Sequence, residues 1–395
     1  MAGVKRKSGN GYDLRAPRRL GSLNRHFLSA KEHEMPEPVR VGFIGCGGHA
    51  SQNIYPAFRL GSWGSPRLKE PLGELVACCD LKRDLAERNA KVFGIQRSYT
   101  NHREMLEKEN LDAVFVIMHP RDQPKVAIDV LRAGKPVFVE KPASVTIADS
   151  IAMKEAAEKA RQWVMIAFMK RFSTPYLRAR KLIEDPRFGP ITTYESRYCY
   201  GKYAAFDVYD FINGFSCHFL DLARFFMGDV KSVYAAYASR AGTAGGRPKA
   251  YPEVTDPRDG AVPQEESWIV TFHFESGCIG SLQTNCLERL GERVQVTGRG
   301  SFVEVTNWRE IRACLGDPEE VVTWEPNETM VNDAMDLRTF HGYTGEVTHF
   351  LECARDGRTP SVTIDDGIAQ LRIEQACKQS ALSGRVIDVV GIPAG

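Results

Sequence analysis

The sequence predicts an α/β chain: a Rossmann-type doubly wound parallel sheet, then an α+β domain built on an antiparallel sheet. Three observations carry this. Short, almost continuous apolar runs alternate with helix-like stretches through the first part of the chain. A glycine-rich turn, Gly45-Cys46-Gly47-Gly48-His49-Ala50, closes the first of those runs. From about residue 191 the strand candidates alternate apolar and polar residues instead.

The parallel strands are read from Val39-Arg40-Val41-Gly42-Phe43-Ile44, Glu74-Leu75-Val76-Ala77-Cys78-Cys79, Ala113-Val114-Phe115-Val116-Ile117-Met118 and Pro136-Val137-Phe138-Val139. Strands covered on both faces are apolar on both faces, so they lack alternation. Helical patterns fill 49–60, 82–93, 102–108 and 123–133, with Gly134 as a C-terminal glycine. A helix near 147–161 and a strand over 163–168 follow. In the second part, 191–200, 233–238, 268–274, 278–284 and 294–297 alternate, as strands with one covered face do. Phe274-Glu275-Ser276-Gly277-Cys278 reads as a hairpin turn. Helices are expected at 174–184, 216–227, 343–355 and 365–382. The expected division is an arm over 1–38, the parallel-sheet domain over 39–162 and the α+β domain over 163–395, with a long loop at 241–265.

Composition narrows the function. A chain of 395 residues is too long for one typical core and suggests two domains. Its 52 basic and 50 acidic side chains leave a net charge of +2, no field for nucleic acid or a membrane surface. No apolar run approaches the ~18 residues that span a bilayer, and 1–38 lack a secretory apolar core. The ten cysteines form no C-x-x-C pair and show no zinc spacing, so reduced thiols, a cytoplasmic location and no metal are expected. Residues 1–38, with Lys5, Arg6, Lys7, Arg15, Arg18, Arg19 and Arg25, read as a flexible basic arm. Met35 is an alternative start, and a nuclear address, a transit peptide or a subunit-packing arm compete with that reading.

The turn at 45–50 matches G-x-G-x-x-G/A in its required context, after a strand and before a helix. Gly45 permits the tight turn, Gly47 lets a pyrophosphate approach the backbone, and Ala50 lets the helix pack closely. Gly48 and His49 complete the loop, whose amides face the phosphates. Asp80, at the end of the second strand, suits the adenosine ribose hydroxyls and would repel a 2′-phosphate. NAD is therefore favoured, while Lys82 and Arg83 keep NADP open. Asp80 lies about 30 residues past the loop rather than about 20, a difference that an insertion over 60–71 explains.

Glu140, Lys141 and Pro142 end the fourth strand, where ligands of open parallel sheets sit. An ammonium there can hydrogen-bond an alcohol and stabilise alkoxide charge; a strand-end Lys paired with Glu140 is the plain structural alternative. Together with Ala133-Gly134-Lys135, His218-Phe219-Leu220-Asp221, Gly345-Glu346-Val347-Thr348-His349-Phe350 and Gln379-Ser380-Ala381-Leu382-Ser383-Gly384-Arg385, these segments resemble the glucose–fructose oxidoreductase/inositol dehydrogenase family, Gfo/Idh/MocA. The resemblance runs from about Val39 to Val389.

That resemblance implies a large open, mostly antiparallel sheet used for subunit contact, and hence a homodimer or homotetramer. It implies NAD(P)-dependent hydride transfer at one carbinol of a sugar, inositol or related polyol. Lys141 and His218 become the catalytic pair, with Pro142 often after a cis peptide bond. Two departures stand out. Relatives carry an Asp four residues before the histidine, whereas this chain has Gly214, preceded by Asn213; Asp207, Asp210 or Asn213 could replace it. Relatives carry Thr-Pro after the third strand and a His shortly after. Here Met118-His119-Pro120 stands there, and the later position falls at Gln123 or Pro124. His119 and Pro120 are thus cofactor candidates. Arg171, within Lys170-Arg171-Phe172, resembles a substrate-side segment, against the alternative of a domain-interface ion pair. Tyr200, Tyr203 and Tyr209 suit sugar stacking or a core. Asn327-Glu328-Thr329 matches a glycosylation sequon by chance. Two other functions remain open: an enzyme that retains NAD and oxidises a sugar transiently for elimination or glycoside cleavage, and a non-catalytic nucleotide or sugar sensor.

Overall fold

Six parallel strands build the first sheet in the order β3-β2-β1-β4-β5-β6: β1 Val39–Ile44, β2 Gly73–Cys79, β3 Arg97–Tyr99, β4 Ala113–Val116, β5 Val137–Val139 and β6 Val164–Ile166. The computed structural model describes residues 37–61, 71–200, 211–239, 266–286, 291–316, 320–324 and 341–393. Residues 1–36 of the expected arm, most of the expected insertion, Asp207, Asp210, Tyr203, Tyr209, the loop at 241–265 and the 327–329 sequon lie outside them.

The apolar runs explain the order. β4, β5 and β6 are buried at every position, and β1 at all but Arg40. β1 pairs in parallel with both β2 and β4, so the strand order reverses beside it. That switch point opens a crevice at the strand carboxyl ends. Helices α1 Tyr55–Gly61, α2 Arg83–Phe93, α3 His102–Lys108, α4 Gln123–Arg132 and α5 Ile147–Ala160 connect the strands. The first sheet reaches Ile166 through β5–β6 pairing, beyond the expected boundary at 162. The run 163–168 is apolar because β6 and the two residues after it, 164–168, are buried at every position.

Nine further strands form a second sheet among the described residues: β7 Ile191–Cys199, β8 Val230–Ser239, β9 Glu266–Phe274, β10 Ile279–Asn285, β11 Gly291–Gly298, β12 Ser301–Thr306, β13 Glu310–Leu315, β14 Glu320–Trp324 and β15 Ile387–Asp388. Their order is β14-β13-β12-β11-β7-β10-β9-β8-β15, antiparallel except for β7 beside β10. Burial alternates along β7, β10 and β11, as the sequence pattern requires. Helices α6 Thr174–Ile183, α7 Phe211–Gly214, α8 Cys217–Met227, α9 Tyr343–Asp356 and α10 Ile364–Ser383 complete this half. α10 starts at a capping box between Thr363 and Asp366 and packs against β8. α9 turns back onto the first sheet: Phe350 meets Phe115, Phe138 and Trp163 edge-on. Glu37–Gly395 is thus one compact unit. The ten cysteines are free thiols.

Candidate active site

The glycine turn follows directly from the end of β1. Gly45 has φ +105°, and a Cβ there would stand 1.9 Å from the Ile117 carbonyl oxygen. Only glycine fits. A Cβ added at Gly47 or Gly48 meets nothing within 4 Å, so the peptide face is open to a ligand. Ala50 is buried and begins a π-helical turn, Ala50–Ile54, that continues into α1. Asp80 leaves β2 with Oδ2 accepting the Cys46 N–H at 2.8 Å and Oδ1 the Lys82 N–H at 2.9 Å. It is partly exposed, and each oxygen keeps a lone pair for a ribose hydroxyl. Open glycines at a helix start and a fixed acid fit a dinucleotide.

The end of β5 supplies the second group. His49 Nε2 meets Glu140 Oε1 at 2.8 Å, and the Asn53 amide lies 3.2 Å from Nδ1. Donation from Asn53 leaves the ring proton on Nε2, aimed at Glu140. Glu140 Oε2 accepts the Lys141 N–H at 2.9 Å. Burial alone would raise the Glu140 carboxyl, but His49 and Lys141 hold it below the usual carboxylate range. Lys141 Nζ donates to the Gly214 carbonyl at 3.3 Å and lies 5.4 Å from the Phe215 ring. The peptide between Lys141 and Pro142 is cis. Gln123, fully buried, donates to the Glu140 and Pro142 carbonyls at 2.9 Å each and so staples this turn. The sequence showed Gln123 only as a departure from a pattern.

His218 stands in the first turn of α8, 5% exposed. Its Nδ1 has no hydrogen-bond partner among the described residues. Burial, then neighbouring Lys141, Lys170 and His49, push its pKa well below the ordinary histidine value. The imidazole is neutral at neutral pH, the form in which a histidine can act as a base.

One cleft of about 600 Å³ joins these groups. Gly47, Gly48, His49, Ala50, His119, Pro120, Glu140, Lys141, Tyr200 and His218 all line it. Gly45 and Asp80 support the turn from behind. Asn213 is buried in α7 and does not line the cleft. Arg171, expected on the substrate side, is held elsewhere. Its guanidinium makes two bonds to Asp221, at 2.7 and 2.6 Å, and one to Asp366 at 3.0 Å. The bidentate pair with Asp221 and the bond to Asp366 together tie α8 to α10, the ion-pair role the sequence left open.

Lys170 points into the cleft wall instead, and the sequence did not single it out. It is buried, bonded to Glu292, and 5.0 Å from the Trp308 ring. Burial pulls its pKa below the ordinary lysine range despite Glu292. Glu292 also accepts the Tyr176 hydroxyl at 2.6 Å. These partners lie 116 and 122 residues apart along the chain, so spacing gave no signal.

Family models match both halves. Residues 39–168 match the oxidoreductase family's NAD-binding Rossmann fold, and 180–389 match its C-terminal alpha/beta domain. The chain belongs to the Gfo/Idh/MocA oxidoreductase family. This family of NAD-dependent enzymes acts on sugars and polyols. Myo-inositol 2-dehydrogenase of Thermotoga maritima is 24% identical over 89% of this chain and 100% of its own length. The NAD(+)-dependent scyllo-inositol 2-dehydrogenase of Bacillus subtilis is 26% identical over 90% of this chain and 97% of its own. Among solved structures, levoglucosan dehydrogenase with NADH and levoglucosan shares the fold at TM-score 0.74 and 19% identity, over 89% of this chain and all of that one. As a Gfo/Idh/MocA member, the chain carries an NAD-binding Rossmann domain. Among the described residues no helix is long and apolar enough to cross a membrane. Nor does any cluster of three or more His, Cys, Asp or Glu among them suit a metal ion.

Proposed function

We propose that this chain transfers hydride between NAD and one carbinol carbon of a sugar, an inositol or a related polyol. One observation carries the reading: the Lys141 ammonium and the buried, neutral His218 line the same cleft as the open glycine turn. Lys141 Nζ donates to the reacting oxygen and stabilises its charge as an alkoxide. His218 takes the hydroxyl proton in oxidation and returns it in reduction. When bound, NAD supplies the hydride acceptor. His49 and Gln123 hold Glu140 and the lysine turn in place. Tyr200 offers the polyol a ring face and a hydroxyl.

The inositol and levoglucosan dehydrogenases among the relatives support the substrate class. The open face of the second sheet exposes Tyr234, Ile269 and Ile279, and on it we place the contact of a homodimer or homotetramer. The free thiols suit a reducing cytoplasm.

The test is NADH fluorescence on the full chain against sugars, inositols and their keto forms. Turnover of at least one neutral polyol with added NAD is expected. Silence across the panel in both directions would overturn the reading.

A further inference from the structure

The hairpin between β12 and β13 places a tryptophan where the backbone asks for glycine. Arg309 N–H closes the turn on the Thr306 carbonyl at 3.1 Å. The two residues between them are both left-handed, Asn307 at φ +49° and Trp308 at φ +58°. Consecutive left-handed residues suit the twist of a hairpin, and Asn-Gly is the sequence that adopts them without strain. Asn307 fits. Trp308 is strained, because its Cβ crowds the following carbonyl.

The surrounding structure holds that strained residue firmly. Asn307 Oδ1 accepts the Glu292 N–H at 3.0 Å, and Asn307 N–H donates to the Glu292 carbonyl at 2.9 Å. The Glu292 carboxylate in turn fixes Lys170, whose ammonium lies 5.0 Å from the Trp308 ring. His341 packs 5.0 Å from the same ring at 48°. Trp308 stays partly exposed and borders the cleft that contains Lys141 and His218. Backbone strain maintained by so many contacts concentrates where a side chain meets a ligand.

Around Trp308 the charge is matched, because Lys170 is paired with Glu292. That side of the cleft presents an aromatic surface, apart from the Lys141 ammonium that serves the chemistry. Ring C–H groups of a carbohydrate pack on such a surface, while a phosphate or carboxylate gains no counter-charge from it.

We propose that Trp308 is the platform that seats the substrate ring, and that it selects cyclic, uncharged polyols over open-chain or acidic ones. The proposal rests on the polyol dehydrogenase reading above and adds the residue that sets its specificity.

The test uses the full-length chain with NAD, comparing the wild type with Trp308→Gly and Trp308→Phe. Glycine relieves the left-handed turn, so the melting temperature of Trp308→Gly is expected to hold or rise, and NADH affinity to stay unchanged. KM for myo-inositol or D-glucose is expected to rise about tenfold with kcat little changed, the scale of one lost aromatic contact. Trp308→Phe should recover most of the loss, and D-sorbitol should show no change. An unchanged KM for the cyclic probes in Trp308→Gly, with turnover intact, overturns the platform and leaves the dehydrogenase reading standing. If the wild type turns over nothing, the dehydrogenase reading is what fails. The platform is then read from quenching of tryptophan fluorescence by myo-inositol on the NADH-bound protein. Equal quenching in wild type and Trp308→Phe overturns it.

Discussion

Glu346 stands in the first turn of α9, fully buried, and neither carboxyl oxygen has a hydrogen-bond partner among the described residues. Burial, and then the negative charge of Glu140, raise its pKa well above the ordinary glutamate value. It therefore holds its proton to higher pH than an exposed glutamate does. A folded-state pKa above the unfolded one gives stability that is complete in acid and lost as pH rises through and beyond the ordinary glutamate range. Glu346→Gln removes that titration. By urea unfolding, the stability of the variant relative to wild type should rise as pH increases from about 5. A difference that stays constant with pH contradicts the assignment.

At the scale of elements, the turn after β1 and the turn after β5 do the positioning. Gly45→Ala must place a methyl group against the Ile117 carbonyl and adopt a left-handed φ. A loss of at least about 2 kcal/mol in urea unfolding is expected, since backbone lines the collision. A loss within error means that the turn relaxes without cost. Both turns were legible in the sequence because their chemistry is local. A strand, a glycine loop and a helix follow one another at 39–60, and Glu140-Lys141-Pro142 sits at the end of an apolar run. β3 was not legible: Arg97–Tyr99 is three residues long with no apolar run. The hairpin of β12 and β13 was missed because its turn carries Asn307-Trp308 and no glycine. Lys170 and Glu292 escaped for a different reason. A buried ion pair between distant segments exists only once the chain has folded, and the adjacent Arg171 showed the more familiar pattern. Its guanidinium instead found Asp221 and Asp366, two acids from helices that sequence reading could not bring together.

At the scale of the whole molecule, α9 and α10 return from the second half to the first, so residues 37–395 behave as one body. A ligand at the glycine turn then stabilises all of it. NADH at 100 times its Kd should add about 2.7 kcal/mol, read as a single shifted melting transition. NADPH should add less, because a carboxylate at Asp80 would repel an extra phosphate on the adenosine ribose. Two separate transitions, or the larger shift with NADPH, count against this. The central claim is that a lysine from the first sheet and a histidine from the second half meet at one alcohol. Its most direct measurement is steady-state turnover of Lys141→Met, paired with NADH binding. Methionine keeps the length of the side chain and removes the charge. The account predicts kcat/KM lower by about 10²- to 10⁴-fold with NADH affinity nearly intact. Unchanged turnover would remove Lys141 from the chemistry and contradict it.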